Sequence, residues 1–366
     1  MPLNVLHVDS EYGWRGGQQQ LAYLAMAMKK RCDHSAVVCQ PDSHMMRFCC
    51  ANKIECYPIR MQGEFDLLAG FKIARLARQE KINLLHLHSG HAVTLGLWAR
   101  LFNAKLTLIA TRRVDFRLRN RWFSRFKYKN HWLSKIVCVS EEIGRIMRSD
   151  GIDGQRVTTI YSGVDLLKYH RSIPSKEFKD RWGISDKAFI VGTIAAMVGH
   201  KDYPTLLRAA RLVVDRRPQI VFLAVGDGPL EREIRMLADQ LNLGQRFIFC
   251  GYQDNIGGFL KNFDLFVLSS KQEGLGTSIL DAQAAGVPVV ACAAGGIPEM
   301  IQNGINGRLV PKETPTALAQ AIIALADDAD QRQRLIQAAY KSVADFSIEK
   351  TVGKYIGLYE SVLECG

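Results

Sequence analysis

Ser269-Ser270-Lys271-Gln272-Glu273-Gly274-Leu275-Gly276-Thr277-Ser278-Ile279-Leu280-Asp281 joins two kinds of sequence pattern. Ahead of it, Phe263 to Leu268 sets apolar residues between turn-formers and reads as a short buried strand. Behind it, Thr277 or Ser278 is placed to cap a helix that runs through Ala285 and stops at Gly286. A strand, a glycine-bearing turn and a helix start in succession make an anion site. The first helical N–H groups lack partners, and the helix dipole favours negative charge there. Glu273 puts one carboxylate on the turn, and Asp281 puts a second one turn into the helix. An ordinary strand–turn–helix joint, whose acids merely suit the dipole, accounts for the same residues, and α/β proteins contain many such joints.

The surrounding chain is that of a globular protein. Its 366 residues allow two domains with full cores, and it is 48% hydrophobic and 23% charged. No apolar run reaches the length of a membrane span, and the start lacks the basic segment and cleavage site of a signal peptide. Nine cysteines, an odd number in no disulfide-like spacing, fit buried reduced thiols in a cytoplasmic protein; Cys39, Cys138, Cys250 and Cys292 lie in apolar runs. Charge is uneven. Residues 1–165 hold 25 Lys and Arg against 14 Asp and Glu, and carry nearly all of the net +12. The first half is therefore expected to meet something anionic.

Two α/β units repeat along the chain. The first opens with Val5 to Val8, a Gly16-Gly17 turn and a helix from Gln18 to Met28. Strand candidates follow at Ala36 to Cys39, Leu84 to Leu87, Leu106 to Ala110 and Ile136 to Val139. The second restarts at Phe189 to Ile194, with strands at Ile220 to Val225, Arg246 to Cys250, Leu265 to Leu268 and Val287 to Ala291. Strands alternating with helical stretches are the rhythm of a doubly wound parallel sheet. Polar Lys168 to Lys187 reads as the linker, and Ile348 to Leu363 as a strongly amphipathic last helix.

Glu273-Gly274-Leu275-Gly276 with an acid eight residues after the Glu is similar to the signature of the retaining glycosyltransferases of family 4, the glycosyl transferases of group 1. Gly286 to Ala291 and Gly295-Gly296-Ile297-Pro298-Glu299 resemble that family in order and spacing, and the likeness extends over nearly the whole chain. The resemblance implies a GT-B fold: two facing Rossmann-like doubly wound domains with ligands in an interdomain cleft. It implies an acceptor-side domain over 1–167, joined by a returning helix at 347–366, and a donor domain over 168–346. In the family the first Glu faces the donor sugar and the second acid holds the ribose; here the second is Asp281, one methylene shorter.

Other residues take implied roles in the same way. Lys201 follows the first strand of the second unit, where the family supplies a Lys to the pyrophosphate, usually with an Arg at the position that reads Ala196 here. His200 and the amides at Gly276, Thr277 and Ser278 are expected to assist it, and a solvated surface Lys is the plain alternative. Gly16 and Gly17 let a backbone approach a phosphate or sugar closely, and Trp14 to Gln20 resembles the family's loop over the donor. That spacing is not GxGxxG, which disfavours a nicotinamide enzyme. After Gly251 the family meets the base, which implicates Tyr252; a strand cap with a half-buried Tyr serves equally. Arg112 stands where many members have a His that meets the sugar.

Residues 112–135 carry nine Lys and Arg and one Asp among six aromatics. An anionic bilayer surface, an anionic acceptor or nucleic acid could each receive such a segment. The membrane or glycolipid reading carries the most weight, and nucleic acid is not expected. His86 and His88 share a strand face and invite a metal, but no Cys or acid completes a set, so a cleft wall with Ser89 capping the next helix is preferred. Asp328-Ala329-Asp330 matches DxD yet sits in a polar turn after a helix and is read as surface. The sum is a retaining, metal- and cofactor-independent glycosyltransferase at the inner face of the membrane. It would move a sugar from a nucleotide-diphosphate sugar, a UDP-sugar first, to a hydroxyl of an envelope glycan or lipid-linked acceptor. A nucleotide-sugar epimerase or hydrolase of the same fold, or an inactive binding protein, remains the alternative.

Overall fold

A computed structural model describes residues 3–30, 34–118, 122–169 and 176–364. The chain divides into two compact units, Met1–Ser162 with Ile348–Gly366, and Gly163–Ser347.

Each unit is a parallel sheet. In the first, β1 (Asn4–Val8), β2 (His34–Cys39), β3 (Cys56–Pro58), β4 (Leu84–Leu87), β5 (Thr107–Arg112), β6 (Leu133–Cys138) and β7 (Val157–Thr159) lie in the order β3-β2-β1-β4-β5-β6-β7. In the second, β8 (Phe189–Ile194), β9 (Ile220–Val225), β10 (Phe247–Gly251), β11 (Leu265–Leu268), β12 (Val289–Cys292) and β13 (Arg308–Val310) lie in the order β10-β9-β8-β11-β12-β13. Both are doubly wound, and in both the direction of winding reverses once. The reversal falls between β1 and β4 in the first sheet and between β8 and β11 in the second. Chains leaving the two strands at such a point turn to opposite faces, which opens a crevice at the strands' C-terminal ends. Strand composition follows from burial on both sides: every residue of β4, β9 and β11 is buried.

The helix Ile348–Glu364 belongs to the first unit. Its Val352, Tyr355, Ile356, Tyr359 and Val362 share a core with Leu24 and Met28 of the helix Gly16–Lys30 and with Val5, Leu84, Ile109 and Val137 of the sheet. Apolar residues spaced by three and four make one face of that helix, which accounts for the docking. Two of them carry hydroxyls into the core. The Tyr359 hydroxyl is 2.6 Å from His86 Nδ1, and Thr111 Oγ1 is 2.6 Å from His86 Nε2.

The stretch expected as a linker is partly built into the second unit. The helix Lys176–Arg181 packs Phe178 edge-on against Phe259, with Trp182 beside the same ring and Ile184 buried. Residues 170–175 lie outside the described residues. Asp328 caps the helix Ala329–Val343 by accepting from the Gln331 N–H at 2.7 Å, and both acids of the DxD are exposed, as a surface turn requires.

Tyr359→Phe removes one partner of a fully buried imidazole and keeps the ring that fills the core. We expect it to destabilise the first unit by about 1–3 kcal/mol, read as a lower urea midpoint; an unchanged midpoint would show that the bond to His86 contributes nothing net.

Candidate active site

The turns after β8 and β11 meet at the winding reversal of the second sheet. Ala195 to Lys201 leaves β8, and Ser269 to Gly276 leaves β11. Lys201 Nζ donates directly to Glu273 Oε1, and Ser270 Oγ donates to the same oxygen at 2.9 Å. Glu273 and Ser270 are buried, and Lys201 is nearly so. Ser269 fixes the other side of the pair. Its hydroxyl donates to the carbonyls of Lys201 (2.9 Å) and Asp202 (3.1 Å), while the Lys271 N–H donates to the His200 carbonyl at 2.9 Å. Two turns far apart in sequence are thus laced by side chain and backbone.

Gly295 makes room for this. A Cβ there would stand 1.8 Å from the Glu273 carbonyl oxygen, and its φ is +51°. Only glycine fits both conditions. The next N–H, that of Gly296, donates to the same carbonyl at 3.1 Å. The Gly295-Gly296 motif therefore clamps the backbone of Glu273.

The helix start differs from expectation. The helix spans Thr277–Ala284 and its N-cap is Gly276, at φ +90° and ψ +55°, with no side chain capping it. Neither Thr277 nor Ser278 is the cap. A left-handed residue is needed to turn sharply out of the loop, and glycine adopts that conformation at no steric cost, so both hydroxyl residues shift into the first turn. The first N–H groups are left without a side-chain acceptor, beside the Lys201–Glu273 pair.

Asp281 also has a partner. Its Oδ1 accepts from the Tyr169 hydroxyl at 2.7 Å, and Tyr169 is fully buried. Burial raises the Asp281 pKa, with the tyrosine hydroxyl and Lys168 opposing. Tyr252 is 42% exposed and follows the left-handed Gly251 at the end of edge strand β10.

In the first unit Gly16 and Gly17 are the first two residues of a helix rather than a turn. Gln18 ties that helix start to β1: its Oε1 accepts from the Arg15 N–H at 3.2 Å, and its Nε2 donates to both oxygens of Asp9 at 3.3 and 3.2 Å. Arg112 does not reach this crevice. Its guanidinium lies over the Tyr128 ring and donates to the Phe116 carbonyl at 2.6 Å, pinning the loop after β5. Side chains alternate along an extended chain, so the next residue, Arg113, points the other way, with Cδ 3.2 Å from where a Cβ on Gly17 would stand. Arg113, not Arg112, therefore lies against the start of the helix Gly16–Lys30.

Beside it His7 joins His86 and His88, and the donor atoms of the three lie within 4.8 Å of one another. Burial holds all three imidazoles neutral, with His7 down to about 3. Ser89 caps the following helix, Gly90–Phe102, as expected. His7, Asp9 and Arg113 carried no signal in the sequence beyond their position at strand ends.

The cationic segment 112–135 divides in two. Arg119 and Arg121 lie outside the described residues. Lys127 is buried, donating to Glu64 (2.6 Å) and to the Gly90 carbonyl (2.9 Å), and Tyr128 is buried with it. Phe116, Arg117, Arg125, Phe126 and Lys129 face outward. Glu64 leads into a second apolar surface that sequence reading missed. Phe65 (74% exposed), Leu67, Leu68 (73%) and Phe71 project at the start of the helix Leu67–Gln79, whose exposed side continues as Lys72, Arg75 and Arg78.

Two family models match the chain: glycosyltransferase family 4 over residues 14–167, and glycosyl transferases group 1 over residues 174–342. Among curated proteins, it is 28% identical over 319 residues to N-acetyl-alpha-D-glucosaminyl L-malate synthase of Bacillus anthracis, covering 84% of this chain and 82% of that one. It is 26% identical over 308 residues to UDP-Gal:alpha-D-GlcNAc-diphosphoundecaprenol alpha-1,3-galactosyltransferase of Escherichia coli, covering 80% and 79%. Anabaena HepE in complex with UDP and glucose superposes with a TM-score of 0.86 at 21% identity, over 98% of this chain and 100% of that one. Sucrose-phosphate synthase of Thermosynechococcus elongatus gives 0.79 at 19%, over 99% and 100%. The two structures establish likeness of fold.

Burial pushes the Asp9 carboxyl from its ordinary 3.8 up to about 7. Between those values the folded protein holds a proton that the unfolded chain has released, so stability falls as pH rises from about 4 to about 7 and stays lowered above. Asp9→Asn removes that loss, at most about 4 kcal/mol. The variant's gain in Tm over wild type should be near zero at pH 3, below both values, and several degrees at pH 8; equal gains at both would contradict the buried acid.

Proposed function

The chain belongs to glycosyltransferase family 4, the glycosyl transferases of group 1, and on that premise we propose that it is a retaining transferase drawing on a UDP-sugar. The observation that carries this reading is the contact of Lys201 with Glu273 beside an uncapped helix start. An ammonium has three N–H donors, and Glu273 takes one. The others can meet a diphosphate, whose charge would also lie against the free N–H groups at Thr277 and Ser278.

In the proposed reaction the bond between the anomeric carbon and the phosphate oxygen breaks. The leaving UDP keeps the electron pair, with Lys201 and the helix amides offsetting its charge. Positive charge then develops at the anomeric carbon, where the Glu273 carboxylate favours it and fixes the sugar. The acceptor hydroxyl attacks the same face, forms the new carbon–oxygen bond and passes its proton to the departing phosphate. In this reading Lys201 and the helix amides take the place of a metal ion at the leaving phosphate.

The donor assignment draws on the relatives' names: one is a UDP-Gal transferase, and HepE is described bound to UDP-glucose. The acceptors named there are L-malate and a diphosphoundecaprenol-linked sugar, and we assign this chain the second class, an envelope glycan or lipid-linked acceptor. Among the described residues no helix is long and apolar enough to cross a membrane. Access to such an acceptor would come from the outer surface of the first unit. There Phe65, Leu68 and Phe71 would enter the interface of an anionic leaflet, with Lys72, Arg75, Arg125 and Lys129 against its headgroups.

Acceptor-dependent release of UDP from a panel of UDP-sugars tests the reading; release without acceptor would indicate an epimerase or hydrolase instead. Glu273→Gln is isosteric and should lower kcat by about 100-fold or more while UDP affinity and Tm stay close to wild type. Lys201→Ala should weaken UDP binding as well. Replacing Leu68 and Phe71 by Ser should abolish flotation with anionic liposomes and leave soluble-acceptor kinetics unchanged; retained flotation places the membrane contact elsewhere.

A further inference from the structure

Among the described residues, two clusters of three side chains bring metal-ligating atoms within 4.8 Å of one another. One is His7, His86 and His88, and it is closed. All three rings are buried, and His86 has the Tyr359 hydroxyl on Nδ1 and the Thr111 hydroxyl on Nε2. The other is His34, Glu55 and Glu80, whose side chains are all partly exposed.

The fold gathers this second cluster from three elements. His34 is the first residue of β2, Glu55 immediately precedes β3, and Glu80 is the C-cap of the helix Leu67–Gln79. β2 and β3 are parallel neighbours, so their starts lie at one end of the sheet. The crevice lies at the other end. Six residues of β2 separate the two ends by about 17 Å.

His34 Nε2 is 3.3 Å from Glu55 Oε2 and 4.0 Å from Glu80 Oε2. Tyr57 stands two residues along the extended chain from Glu55, on the same face. Its hydroxyl donates to Glu55 Oε1 at 2.5 Å, which leaves Oε2 towards His34. Two carboxylates thus converge on one imidazole nitrogen, which has at most one proton to give. No Lys or Arg among the described residues pairs with either acid. Net negative charge therefore remains whether the ring is neutral or charged.

A divalent cation removes that charge and uses all three groups. The neutral ring offers the lone pair of Nε2, and each carboxylate offers one oxygen. Ligand atoms on a tetrahedral ion with bonds of ~2.0–2.1 Å stand about 3.3 Å apart. His34 and Glu55 already have that spacing, and the Glu80 oxygen is within ~1 Å of it. One imidazole nitrogen and two carboxylate oxygens, with water in the fourth position, suit zinc. The Tyr57 hydroxyl makes the outer bond that orients a ligating carboxylate.

We propose that His34, Glu55 and Glu80 form a zinc site that pins the starts of β2 and β3 to the end of the helix Leu67–Gln79. The site stabilises the first unit and takes no part in sugar transfer, so it stands or falls independently of the transferase reading.

Full-length protein stripped with a chelator is titrated with Zn²⁺, followed by calorimetry and by thermal melting. One equivalent should bind and raise Tm. His34→Gln and Glu80→Gln should each weaken binding roughly tenfold or more and lose the rise, with a metal-free Tm near that of wild type. Cys50→Ser, which removes an exposed thiol near Cys56, should bind as wild type does. Co²⁺ in the wild-type protein reads the ligand set even where a variant is unstable. It should give visible d–d bands without the near-ultraviolet charge-transfer band of a thiolate. A thiolate band overturns the site, as does wild-type Zn²⁺ affinity in both His34→Gln and Glu80→Gln. Failure of the wild-type protein to bind Zn²⁺ overturns it outright.

Discussion

A parallel sheet wound in both directions must leave a crevice where the winding reverses, because the chains leaving two adjacent strands turn to opposite faces. Both candidate crevices in this protein follow from that constraint, applied once in each sheet. Between β8 and β11 the crevice is floored by Lys201 and Glu273, a nearly dry ion pair whose partners come from turns 72 residues apart. Burying two charges is costly unless hydrogen bonds complete their surroundings. Ser270 on the carboxylate, Ser269 on the adjoining carbonyls and the Gly295-Gly296 clamp supply those bonds. The pair is also incomplete by design of the helix beside it, whose first N–H groups no side chain covers.

The first unit furnishes its own crevice differently. Its helix start is not bare, since Gln18 bridges it to Asp9, and its charge is an arginine facing histidines instead of a lysine facing a glutamate. Neutral imidazoles cannot balance a guanidinium, whereas Glu273 balances Lys201. One cation is thus paired directly with a carboxylate, while the other faces neutral imidazoles, with the buried Asp9 carboxyl as its nearby acid.

How much of this could be read in advance depended on length and period. Strands of four to six apolar residues, such as Ile220–Val225 and Leu84–Leu87, announce themselves because burial on both faces leaves no polar positions. The edge strands Cys56–Pro58, Val157–Thr159 and Arg308–Val310 were not legible: three residues, partly exposed, carry neither an apolar run nor an alternation. Glu273 and Lys201 were legible through the motifs around them. The cap was misplaced because a hydroxyl residue at a helix start is the commoner cap, and only the backbone angle at Gly276 decides otherwise. Arg112 and Arg113 could not be told apart, since which of two adjacent side chains faces the crevice is set by the register of β5. Tyr169 gave no sign at all; it sits in a polar stretch, and its pairing with Asp281 spans 112 residues.

That pairing bears on how the nucleoside would be held. A free aspartate at Asp281 would need no more than its own reach to meet a ribose. Here its Oδ1 is spent on a buried tyrosine, and burial already disfavours its charge. The orientation of the carboxyl is thereby set by Tyr169 as well as by its own short side chain. The short acid and the buried hydroxyl are thus one arrangement, in which Tyr169 fixes where the Asp281 carboxyl stands.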